Sequence, residues 1–124
     1  MTRTRWALAA LYGYGLLILI LSSIPSDTLT NFSYIFGKDK WLHFSEYLGF
    51  GFLAWNVLYN MEFKKILTMS FILALLLFPV MDELYQFFIP GRIPDVLDLL
   101  ADWSGCLVGV MARVSLHHVK IPVY

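Results

Sequence analysis

Residues 66–88 read ILTMSFILALLLFPVMDELYQFF. From Ile66 to Met81 the run carries no charge, and only Thr68 and Ser70 are polar. Continued to Phe88, it reaches the ~20 mostly apolar residues that cross a ~30 Å hydrocarbon core at ~1.5 Å rise per residue. The stretch therefore reads as a membrane helix, and one that closes on Asp82, Glu83 and Gln86. Pro79 predicts a bend near that polar end, tolerated in a membrane helix when neighbours satisfy the freed carbonyl.

The rest of the chain agrees with this reading. At 124 residues there is room for one domain, with 59% hydrophobic and 15% charged residues. A soluble globular domain carries about 25% charged residues. Aromatics reach 17%, as in proteins whose helix ends sit in membrane interfaces. A net charge of +0 argues against nucleic acid as a partner. The single Cys106 excludes an intrachain disulfide. Further apolar runs cover about residues 6–24, 41–59 and 96–116, the second interrupted by His43, Glu46 and Asn56 and the last by Asp98 and Asp102. The expectation is an all-α integral membrane bundle of four transmembrane helices, forming a single domain over residues 1–124. Arg3 and Arg5 ahead of the first run suggest a signal peptide. Tyr12 and Tyr14 interrupt that run, however, and Ser22-Ser23-Ile24-Pro25 lacks an A-x-A-like site, so a retained span is expected.

Orientation follows from the basic residues. Four spans put Arg3, Arg5, Lys64, Lys65, Arg113 and Lys120 on one side and Lys38, Lys40 and Arg92 on the other. Six against three places both termini in the cytoplasm. The acids, not used for that choice, are more uneven still. Asp27, Asp39, Glu46, Asp82, Glu83, Asp95, Asp98 and Asp102 map to the outer half, and only Glu62 to the inner side.

Three stretches bring polar groups to one depth. His43, Glu46 and Tyr47 lie at i, i+3 and i+4 on one helical face. Asp82 and Gln86 are neighbours at the end of the third span. Asp95, Asp98 and Asp102 fall within an arc of about 60° at about 100° per residue. Gly105 and Gly109 continue that stripe in a spacing that permits close helix packing. Asp39 and Asp95 suit N-caps, with Asp98 then at N3. Asp82 and Glu83 oppose the dipole at a helix C-terminus and need compensation. Lys38, Lys40, Lys64 and Lys65 read as interface anchors. Glu46 and Asp102 lie too deep to cap anything, and ionisable groups within a membrane face the bundle interior and mark functional sites.

These residues resemble a known family. Asp39-Lys40-x-x-His43-Phe44-x-x-Tyr47, then Asp82-Glu83-x-x-Gln86-x-Phe88-x-Pro90-Gly91-Arg92, then Asp98-x-x-Ala101-Asp102-x-x-Gly105-x-x-x-Gly109 are similar to the VanZ-like pattern, in order, over residues 38 to 110. The resemblance implies a multi-pass four-helix protein of the bacterial cytoplasmic membrane. Its name implies low-level resistance to glycopeptide antibiotics such as teicoplanin.

Two functions fit these residues. In an enzyme acting on an envelope component at the outer leaflet, His43 serves as general base with Glu46 as its orienter. Glu83 or Asp102 supplies an acid. Arg92, with Gln86 and Asp98, binds a phosphate or carboxylate of the substrate. Surplus carboxylates favour a divalent cation such as Mg²⁺ or Ca²⁺, although no metal or nucleophile motif stands at diagnostic spacing. In a non-catalytic protein the same groups tie the bundle together through Arg92 and hold a lipid headgroup, an envelope precursor or a glycopeptide.

Overall fold

A computed structural model describes residues 2–25, 39–61 and 65–118. The expectations for Asp27, Lys38, Glu62, Lys64 and Lys120, and for the Asp39 side chain as an N-cap, fall outside the described set. The described residues hold α1 (Thr2–Ser22), α2 (Asp39–Asn60), α3 (Lys65–Gln86) and α4 (Val96–His118), with no strand among them. These helices overlap the four apolar runs to within a few residues at each end.

The helices alternate in direction. At one end Ser22 of α1 meets Gln86 of α3 (3.4 Å), and Lys40 of α2 meets Asp95 before α4 (2.7 Å). At the other end Thr4 reaches the Asn60 carbonyl (3.5 Å), and Arg113 donates to Asn56 Oδ1 (2.9 Å).

α2 and α4 form the closest pair. Glycines on both helices bring the backbones together. A Cβ on Gly105 would overlap the Phe44 carbonyl oxygen, one on Gly109 that of Leu48, and one on Gly51 that of Cys106. The Gly105 and Gly109 stripe therefore packs as its spacing suggested, and Gly51 is the unforeseen partner from the facing helix. α1 covers α2 next, through a core of Leu11, Ile18, Tyr47, Phe50, Ala54 and Val57. α3 is held more loosely. It runs on through the buried Pro79, and the Trp103 indole of α4 donates to the neighbouring Leu76 carbonyl (3.0 Å).

The distribution of side chains is the inverse of a water-soluble bundle. Leu16, Ile20, Ile66, Leu73, Leu84, Leu107 and Met111 are exposed, while His43, Asp82, Glu83, Gln86, Asp98 and Asp102 are buried. Three helices are long and apolar enough to cross a membrane, over Arg3–Ser22, Lys65–Gln86 and Val96–Leu116. α2 carries more polar residues than these, and it is also the helix most enclosed by the others. A helix surrounded by protein can hold polar side chains that a lipid-facing helix cannot.

Candidate functional site

The buried polar groups gather at the end of the bundle where α1 and α3 finish and α2 and α4 begin. They form tiers. Outermost is a cation between two acids. Lys40 Nζ donates to Asp95 Oδ2 at 2.7 Å and to Asp98 Oδ1 at 2.8 Å. Asp95 also caps α4, its Oδ1 accepting the Leu97 backbone N–H at 2.9 Å. Lys40 and Asp95 lie outside the apolar runs over residues 41–59 and 96–116. The hydrogen bonds to Asp95 and then Asp98 raise the Lys40 pKa, and those from Lys40 and then Leu97 lower that of Asp95. The anchor reading of Lys40 was therefore incomplete, because it joins α2 to the first turn of α4.

One turn deeper, His43 Nδ1 lies 3.0 Å from Asp102 Oδ1, with side chains 4% and 0% exposed. A proton on Nδ1 donates to the carboxylate and leaves Nε2 as the acceptor nitrogen. The short contact of His43 thus crosses the α2–α4 seam. Glu46, one turn along α2, is half-buried and within electrostatic reach of His43, Asp82, Asp102 and Arg92. Glu83 enters this tier from α3, and one donor atom each from His43, Glu83 and Asp102 lie within 4.8 Å of one another.

Deeper again, the Tyr47 hydroxyl donates to Asp82 Oδ2 (3.1 Å), both side chains fully buried. The compensation that Asp82 and Glu83 require at the end of α3 is supplied by neighbours. Tyr47 serves Asp82, and the Asp95 backbone N–H donates to Glu83 Oε2 at 3.1 Å. Among the described residues, Asp82 Oδ1, Glu83 Oε1 and Asp102 Oδ2 have no hydrogen-bond partner.

α1 also contributes, which the sequence pattern did not indicate. Gln86 donates to Ser22 Oγ at 3.4 Å. Arg92 Nε donates to the Ile24 carbonyl at 3.2 Å, drawing the loop after α3 over the end of α1. Gly91 makes the turn that allows this, at φ 76°, a conformation that favours glycine. So His43, Glu83 and Asp102 converge, Glu46 and Arg92 flank them, Asp98 belongs to the outer knot, and Gln86 faces α1.

Beneath this layer an apolar groove of ≈ 330 Å³ opens between α1 and α3. Leu11, Leu16 and Leu19 form one wall and Phe71, Leu75 and Phe78 the other, with Phe50 at the back. Tyr47 joins groove and polar layer, since its ring packs edge-on against Phe50 (centroids 5.8 Å apart) and lies 6.1 Å from Phe78.

Neither a curated protein nor a solved structure matches the chain. The family model described as VanZ/LLP1 matches residues 12–117, a range that takes in most of all four helices and every polar side chain of the site. The chain belongs to the VanZ/LLP1 family.

Proposed function

We propose that this is a four-span protein of the bacterial cytoplasmic membrane, with both termini in the cytoplasm and its polar layer in the outer leaflet. There it binds, or acts on, the anionic headgroup of an envelope lipid or lipid-linked precursor. One observation carries the reading. The buried polar layer stands over an apolar groove that opens on the flank of the bundle, and Tyr47 connects them, bonded to Asp82 and packed against Phe50 of the groove. A molecule with a polar head and a hydrocarbon tail matches that sequence of environments, and it reaches the groove from the bilayer without crossing water.

α2 serves as the fourth span because its polar residues face α4 and α3. Its apolar run over residues 41–59 gives about 28 Å at ~1.5 Å per residue, close to the ~30 Å of the hydrocarbon core. Arg92 provides a guanidinium suited to a phosphate. The His43–Asp102 pair resembles a base held by its orienting carboxylate, which makes proton transfer at the headgroup the natural chemistry if the protein turns its ligand over. Low-level glycopeptide protection, implied by the family resemblance, supplies a cellular readout.

The test uses Glu46→Gln and Asp102→Asn in cells and in reconstituted vesicles. Loss of teicoplanin protection with expression and thermal stability intact is the expected result, and unchanged protection in both variants would overturn the proposal. Turnover of a lipid-linked precursor by wild type but not by His43→Ala would identify an enzyme; headgroup retention without turnover would identify a binding protein.

A further inference from the structure

The polar layer has a charge problem. Glu46, Asp82, Glu83 and Asp102 lie in one region, and each of them that is ionised repels an anionic headgroup. Arg92 offsets only one such charge. The hydrogen-bond pattern is equally incomplete, because Glu83 Oε1 and Asp102 Oδ2, on side chains at least nine-tenths buried, have no partner among the described residues. A buried polar atom with no partner costs about 1–3 kcal/mol, and more when it is charged. A group absent from the chain itself would satisfy both oxygens.

Its chemistry follows from the donors. One imidazole nitrogen and two carboxylate oxygens lie within 4.8 Å of one another. Ligand atoms about 2.1 Å from a tetrahedral ion are about 3.4 Å apart, so three atoms already within 4.8 Å of one another need to draw in by at most about 1.4 Å. Glu83 then completes a three-sided set by a small side-chain movement. Mg²⁺ and Ca²⁺ take oxygen ligands, whereas an imidazole beside carboxylates suits Zn²⁺, Mn²⁺ and Fe²⁺. We propose that His43, Glu83 and Asp102 hold a divalent first-row transition ion, whose open coordination positions accept an anionic oxygen of the headgroup.

The inference deepens the headgroup reading of the same site. The neutral imidazole gives the ion one nitrogen and carries its proton on the other. The ion neutralises two carboxylates at once and turns a site that repels phosphate into one that binds it. Three protein ligands leave room for an exogenous oxygen, as in open metal sites.

The experiment uses the full chain, untagged and stripped with chelator in detergent, titrated with Zn²⁺ and with Mn²⁺ alone. One ion per chain is expected for wild type. Glu83→Gln and Asp102→Asn are expected to bind at least about tenfold more weakly, and Leu107→Ala, on an exposed face of α4, as wild type does. Equal binding by wild type and Asp102→Asn, or no stoichiometric binding by wild type, would overturn the proposal. Should a variant fail to fold, Mn²⁺ bound to wild type decides by electron spin resonance: hyperfine coupling to one imidazole nitrogen supports the site, and its absence refutes it. Metal binding with no retention of phosphate lipids would leave this site standing and remove the headgroup reading. Phosphate lipid retained by the metal-free protein would do the reverse.

Discussion

A methyl group added to Gly105 should disable the site by displacing a helix. Its Cβ would overlap the Phe44 backbone carbonyl of α2, and backbone cannot rotate away as a side chain can. Overpacking of this kind costs about 1–3 kcal/mol, a factor of about 5–150 in the ratio of folded to unfolded protein. The cost is relieved only by moving α4 off α2. Asp102 lies one turn from Gly105 and meets His43 at 3.0 Å, so a shift of about 1 Å, modest by the scale of helix rearrangements, takes the pair out of hydrogen-bond range. Gly13→Ala is the matched control, because a Cβ there meets nothing within 4 Å among the described residues. Helix propensity alone favours alanine by about 1 kcal/mol at either position. Reversible unfolding of the purified protein in mixed micelles should therefore show Gly13→Ala neutral or stabilised and Gly105→Ala destabilised. The Gly105 variant should also lose Zn²⁺ or Mn²⁺ binding. Equal stability of the two variants would refute the tight α2–α4 seam.

Further expectations concern single contacts. Tyr47→Phe removes the donor to Asp82 Oδ2 and leaves a fully buried carboxylate without its tyrosine; a loss of about 1–3 kcal/mol is expected from the same unfolding measurement. Asp102→Ala removes the His43 contact and should cost more than Asp102→Asn, which keeps an acceptor oxygen, and a reversed order would count against the pair as drawn. The outer knot makes a pH prediction. Asp95 is depressed on folding, so its contribution is fully present above its unfolded value of about 3.9 and is lost as pH falls through the lower folded value. Lys40 is raised, so its contribution is present below about 10.5 and is lost as pH rises through the higher folded value. Lys40→Met should therefore lower stability by the same amount at pH 5 and pH 8. A difference between those two values would show that other groups dominate the knot.

Much of this was legible in the order of residues. The helices follow from apolar runs of membrane length, and the tier of His43 and Asp102 follows from polar residues that no lipid-facing helix could keep. Asp95 caps α4 as its position before Val96 suggested. What the sequence withheld is who meets whom. The His43–Asp102 contact depends on the register of α2 against α4, which Gly51, Gly105 and Gly109 set between residues far apart in the chain. Local spacing offered Glu46, one turn from His43, and gave no sign of Asp102 as its neighbour. Lys40 matched the pattern of an interface anchor, and only the fold places two α4 acids within its reach. Ser22 and the Ile24 carbonyl carry no signal of their own, since their part in the site comes from where α1 stops.

Native mass spectrometry of the protein released from detergent micelles tests most directly whether the polar layer holds an envelope headgroup. Wild type should retain a lipid with a phosphate-bearing head. Leu107→Ala, on an exposed face of α4, should retain it equally, while Arg92→Gln and Asp102→Asn should lose it. Equal retention by all four proteins, or none by wild type, would contradict the account.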